Sequence, residues 1–120
     1  MLLTSLEIQQ VIEKAKAAFP NFSDWEYNNE VNGEYFGFSL WGEFVLNPEV
    51  LMSQRFFITL DTYQQKWRGE LTIGQHSYLW SSADVGDAHL LGTEPCDSLE
   101  EAIAALKSEI VRLFQALSAV

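Results

Sequence analysis

Trp25-Glu26-Tyr27-Asn28-Asn29-Glu30-Val31-Asn32-Gly33-Glu34-Tyr35-Phe36-Gly37-Phe38-Ser39-Leu40 is the stretch on which the fold turns. Trp25, Tyr27, Asn29 and Val31 alternate with Asp24, Glu26, Asn28 and Glu30. A period of two places one set on each face of a β-strand, so this strand has an apolar and an acidic side. Asn32-Gly33 is the residue pair that a two-residue type I′ turn prefers, because both positions need positive φ. Such a turn pairs Val31 with Glu34, Tyr27 with Phe38 and Trp25 with Leu40, apolar against apolar. A one-residue slip would turn every side chain to the wrong face.

Working outward, the second strand continues to Leu46. Phe36, Phe38, Leu40, Phe44 and Leu46 share one face; Tyr35, Ser39, Trp41, Glu43 and Val45 share the other. Gly42 marks a bulge or bend, and Asn47-Pro48 ends the strand. A third strand is expected over Arg55–Thr62, with Phe56, Ile58 and Leu60 inward. After a loop of about four residues (63–66), a fourth carries Trp67, Gly69, Leu71 and Ile73 on one side. Gly74-Gln75 suits a second tight turn, which predicts Ile73 opposite His76, Leu71 opposite Tyr78 and Gly69 opposite Trp80. Ala88 to Leu91 is a candidate short edge strand.

The ends of the chain are helical. Thr4 followed by Glu7 is a capping-box pattern. Ile8, Val11, Ile12, Ala15, Ala18 and Phe19 then recur at helical spacing until Pro20. Asp97 or Ser98 is the cap of a last helix of about five turns, whose stripe is Leu99, Ala102, Ile103, Leu106, Ile110, Leu113, Phe114 and Leu117. The expected fold is therefore α+β: an N-terminal helix, an antiparallel meander of about five strands, and a C-terminal helix. Both helices are expected on one sheet face.

At 120 residues, 48% of them hydrophobic, the chain fits a single domain, 1–120, with a core that needs no staples. No apolar run approaches the ~18 residues of a membrane span. Met1 to Ser5 lacks the basic and apolar regions of a signal peptide. Asn21-Phe22-Ser23 matches a glycosylation sequon without other support for secretion. The lone Cys96 can form no internal disulfide, which suits a reducing cytoplasm, and a structural role is expected for it.

Net charge is −10. Between Ala17 and Gln54 there is no Lys or Arg but there are six acids: Asp24, Glu26, Glu30, Glu34, Glu43 and Glu49. Phosphate backbones and anionic lipid surfaces need clustered positive charge, so neither nucleic acid nor membrane is an expected partner.

Chemistry-bearing patterns are sparse, and no cofactor is expected. Asp84, Asp87 and His89, with His76 nearby, form the one cluster of carboxylates and imidazole that suits a divalent metal or general acid–base work. Asp in such turns commonly bonds its own backbone instead. There is no glycine-rich phosphate loop and no nucleophile elbow. The uncovered sheet face carries Tyr35, Trp41, Val45, Phe57, Tyr63 and Leu79, and a contiguous apolar patch marks an interaction surface. The sequence thus gives three expectations: a protein-binding or adaptor module, homodimeric through that face; a small enzyme or metal protein using the Asp84/Asp87/His89 turn; or an acidic chaperone or inhibitor that masks a basic partner.

Overall fold

The computed structural model describes residues 2–32, 35–49, 54–74 and 88–119. Among them the order of elements is α1 (Ser5–Ala18), β1 (Ser23–Asn32), β2 (Tyr35–Leu46), β3 (Gln54–Tyr63), β4 (Lys66–Gly74), β5 (Ala88–Gly92) and α2 (Leu99–Ser118). The five strands form one antiparallel sheet in the order β1-β2-β3-β4-β5. This is the α+β meander that the alternation predicts. Among the described helices, none is long and apolar enough to cross a membrane.

Both helices lie on the face that bears Phe38, Leu40, Ile58, Leu60, Trp67 and Leu71, and the core forms between them. From α1 come Val11, Ala15 and Phe19; from α2 come Leu99, Ala102 and Leu106. Gly69 is where α2 sits down on the sheet. A Cβ there would lie 3.0 Å from the Leu106 side chain, so the missing side chain is the seat for Leu106.

α1 begins with the expected capping box: Glu7 N–H donates to Thr4 Oγ1 (3.2 Å) and Thr4 N–H to Glu7 Oε1 (2.9 Å). Asn29 faces inward from β1 for a related reason. Its amide receives Leu3 N–H (3.0 Å) and donates to Leu3 O (2.9 Å), tying the chain ahead of α1 to the sheet. At the other end Phe19 N–H donates to Ala15 O before Pro20 stops the helix. Ser98 caps α2 by accepting from Glu101 N–H (3.1 Å).

Three details differ from expectation. The first hairpin pairs Asn32 with Tyr35, Val31 with Phe36 and Tyr27 with Leu40, a register two residues from the predicted one. A two-residue shift keeps every face, so the alternation alone cannot detect it. Tyr27 still meets Phe38, stacked diagonally at 5.9 Å between ring centroids. Trp25 is not opposite Leu40. The register changes between Ser23 and Glu26, where Asp24 has φ 55°, and the Trp25 indole lies on Gly42. The bulge is therefore on β1, and Gly42 is its partner: a Cβ at that position would meet the indole at 2.6 Å.

Second, the loop after β3 is shorter than expected. Tyr63 pairs with Lys66, and Gln64 and Gln65 both take positive φ (50° and 65°). Third, the neighbour of β4 is Ala88–Gly92: Leu71 lies opposite Leu91 rather than Tyr78. Gly69, predicted to face Trp80, is instead held by Thr93, which accepts from Gly69 N–H (3.0 Å) and whose own N–H donates to Gly69 O (2.9 Å). His76, Tyr78 and Trp80 lie outside the described residues.

Two ion pairs lace the helices to their surroundings, Lys14 with Glu100 and Lys66 with Asp97. Their hydrogen bonds hold the Glu100 and Asp97 carboxyls below the usual range, as Thr4 does for Glu7. A carboxyl whose folded pKa is depressed adds stability above its unfolded pKa and loses it as pH falls through the folded one. Acidification below about pH 4.5 should therefore weaken the fold at these three points. The Lys14→Met/Lys66→Met double variant should show a smaller loss between pH 7 and pH 3 than the parent, read from urea midpoints. An equal loss would show that these exposed pairs are screened into irrelevance.

Candidate functional site

The helices run side by side in the same direction. Lys14 meets Glu100, and further along the Lys107 ammonium lies 5.8 Å from the Phe19 ring centroid. Pro20 ends α1 at that level, but α2 continues from Lys107 to Ser118. At ~1.5 Å per residue those eleven further residues extend ~16 Å along a lane that α1 has vacated.

That lane is an apolar groove of about 280 Å³. Its floor is Phe44, Phe56 and Leu71 from three neighbouring strands; Asn21 and Phe22 close the α1 end; Ile110 and Phe114 form the α2 wall; Leu46 stands at the mouth. Phe44 contacts both Phe22 and Phe56, with ring centroids 5.8 Å and 6.5 Å away. Phe114 is 56% exposed and Leu46 43%, although both belong to faces whose neighbours are core. The contrast along α2 is sharp: Leu99, Ala102 and Leu106 are buried, whereas Val111, Phe114 and Leu117 are exposed.

Comparison with known proteins gives no match. No family model, no curated protein and no solved structure matches this chain.

The opposite sheet face has a different character. Trp41, Val45 and Phe57 are half-buried there: Phe57 lies opposite Glu43 and diagonal to Trp41 and Val45, which flank Glu43 on β2. Charged and polar groups surround them in cross-strand pairs: Glu43 with Arg55 (3.8 Å), Asp61 with Arg68 (two bonds, 3.3 and 3.2 Å) and Glu70 with the His89 imidazole (3.4 Å). The Arg68 guanidinium also stacks 4.5 Å from the Tyr63 ring centroid. Burial pushes the Asp61 carboxyl above its usual range, and this effect outweighs the opposing pull of Arg68.

The predicted metal residues are only partly placed. His76, Asp84 and Asp87 lie outside the described residues, as do Leu79 and the side chain of Tyr35. His89 is on β5 at the sheet edge, with Nδ1 directed to Glu70 Oε1. Among the described residues no three His, Cys, Asp or Glu side chains are grouped to hold a metal ion. A polar hollow of about 360 Å³ does form beside His89, between Asp61, Arg68, Glu70 and Thr93. Its groups are matched to one another: Arg68 to Asp61, His89 to Glu70, Thr93 to the backbone of Gly69. Cys96 is half-buried, and its backbone bridges to Trp67 in both directions (2.8 and 2.7 Å).

The sequence named the groove's residues without naming the groove. Phe44, Phe56, Ile110 and Phe114 were all expected inward, on the assumption that two helices cover the whole face. The groove comes from the stagger of the helices: Lys14, late in α1, meets Glu100 at the start of α2, so α1 ends beside the first half of α2, and no pattern in the sequence reports that offset.

Proposed function

We propose that this protein is a non-enzymatic binding module that holds an apolar segment of a protein partner in the groove between α2 and the β2–β3 end of the sheet. The observation that carries this reading is the exposure of Phe114 and Leu46 over a floor of core-facing aromatic residues. An exposed apolar concavity is a surface that gains free energy by being covered. Its chemistry suits side chains better than a metabolite. At about 280 Å³ it is just below the ~300–1,000 Å³ of small-molecule sites, and among its described lining residues Asn21 is the one polar side chain. Small-molecule sites place several convergent polar groups to orient a ligand, and the described lining offers that one amide.

A second reading is self-association through Trp41, Val45 and Phe57. It is favoured by their diagonal contiguity across β2 and β3. One experiment separates the two. Peptides selected from a random displayed library against the intact protein should be rich in apolar anchors and should lose binding to Phe114→Glu while keeping it to Trp41→Glu. Loss on Trp41→Glu alone would move the site to the outer face. Peptides indifferent to both variants would defeat both assignments.

A further inference from the structure

The character of the occupant follows from the groove's backbone surroundings and its charge. We infer that the groove receives an amphipathic helix of about three turns, apolar on one side and flanked by Lys and Arg, from a basic partner. This rests on the groove being the binding site.

The floor residues sit on adjacent strands whose registers pair Phe44 with Phe56 and Ile58 with Leu71. Their main-chain groups face along the sheet, not up into the groove. An extended segment laid over this floor would bring unpaired N–H and C=O groups against aromatic rings, where each lost hydrogen bond is costly. A helix satisfies those groups internally and presents only side chains. The lane already has helical dimensions, because α1 occupies its first part and α2 borders it for ~16 Å, about three helical turns.

Asn21, Phe22, Phe44 and Leu46, four of the eight described lining residues, come from the stretch between Ala17 and Gln54 that holds no Lys or Arg. Of its acids, Glu26, Glu30 and Glu43 belong to the opposite sheet face, so the charge near the groove rests on two others. Asp24 follows Phe22 closely and Glu49 follows Leu46, and both are exposed. Among the described residues neither enters an ion pair. On the α2 side Arg112 is matched by Glu109 at 2.9 Å. Against Asp24 and Glu49 stands Lys107, whose ammonium lies over the Phe19 ring at the α1 end; among these described groups the acids outnumber the bases, within a chain of net charge −10. A second copy of the chain would meet like charge; a helix with basic flanks meets opposite charge.

Three synthetic peptides of sixteen residues test this by calorimetric titration into the full-length protein. The first has Leu and Phe at helical a/d/e spacing with Lys and Arg on both flanks. The second has the same apolar stripe with Glu flanks. The third is the basic peptide with a central Pro. The basic helix should bind, and raising NaCl from 50 to 500 mM should weaken it by about threefold or more. The Glu-flanked and Pro peptides should each bind about tenfold more weakly, or not detectably. Phe114→Glu and Leu46→Glu, both at exposed positions, should abolish binding while leaving the circular dichroism unchanged. Equal binding of the acidic or Pro peptide, with loss on Phe114→Glu, overturns this inference and leaves the groove as the site. Binding that survives both Glu variants removes the groove as well. No binding by the basic helix overturns the inference.

Discussion

Leu106→Ala is expected to lower the free energy of unfolding by about 2–5 kcal/mol, whereas Phe114→Ala, just over two turns along the same stripe, should change it by less than about 1 kcal/mol. Both residues look alike in the helical pattern. Leu106 is fully buried and its side chain rests on Gly69, so truncation removes apolar contacts and leaves a cavity against a strand with no side chain to fill it. Phe114 is 56% exposed and ends over open groove. Urea titration of the two variants, with unchanged m-values, measures the difference. Equal destabilisation would mean that Phe114 is as enclosed as Leu106, and the groove would no longer be a vacant surface.

The faces of the sheet are written in the sequence; the contacts across them are not. Period-two alternation places Phe38, Leu40, Ile58, Leu60 and Leu71 on one face, and the structure agrees, because burial forces whole faces rather than single contacts. Register was less legible. A two-residue slip leaves every face intact, so the choice between Tyr27–Phe38 and Tyr27–Leu40 rests on local geometry near the Asn32–Tyr35 end and at the Asp24–Trp25 bulge. The pairing of β4 was misread for a different reason. The alternation from His76 to Trp80 suggests a strand but does not say which strand it adjoins. The seat beside Leu71 goes to Leu91, with Thr93 fastening the next residues to Gly69. The candidate metal residues show the limit of short-range spacing: of the four, His89 alone is among the described residues, and its neighbour is Glu70, nineteen positions earlier. The groove was the least legible feature. It arises from the stagger of two parallel helices, Lys14 meeting Glu100 and Phe19 meeting Lys107, a tertiary offset that neither helical stripe encodes.

Thr62→Val should cost about 1–3 kcal/mol although it preserves size and shape, and Thr62→Ser should cost less. Thr62 is 5% exposed, the one buried polar residue among those described. The β2–β3 register runs only as far as Ser39 and Asp61. One step beyond, at Phe38 and Thr62 and next to Gly37 with its φ of 109°, the Thr62 hydroxyl stands in for the missing rung. It accepts from Phe38 N–H at 3.0 Å and donates to Phe38 O at 3.3 Å. Valine fills the same volume but leaves that N–H facing a methyl group in a site with little access for water, so the amide loses its partner without compensation. Serine keeps the oxygen and loses one methyl, a change of about 0.8 kcal/mol in transfer terms. The order Val worse than Ser is therefore the signature of a hydrogen-bonding role. The reverse order would assign Thr62 to packing against Phe38, whose ring is already held by Tyr27 on one side and Trp67 edge-on at 6.0 Å. Phe38 packs against Tyr27 and Trp67, whereas the groove floor is built around Phe44, six residues further along β2 and packed on Phe22 and Phe56. Peptide affinity of the folded Thr62→Val protein should therefore stay near that of the parent while its stability falls, and on Phe114→Ala affinity should fall with stability nearly unchanged.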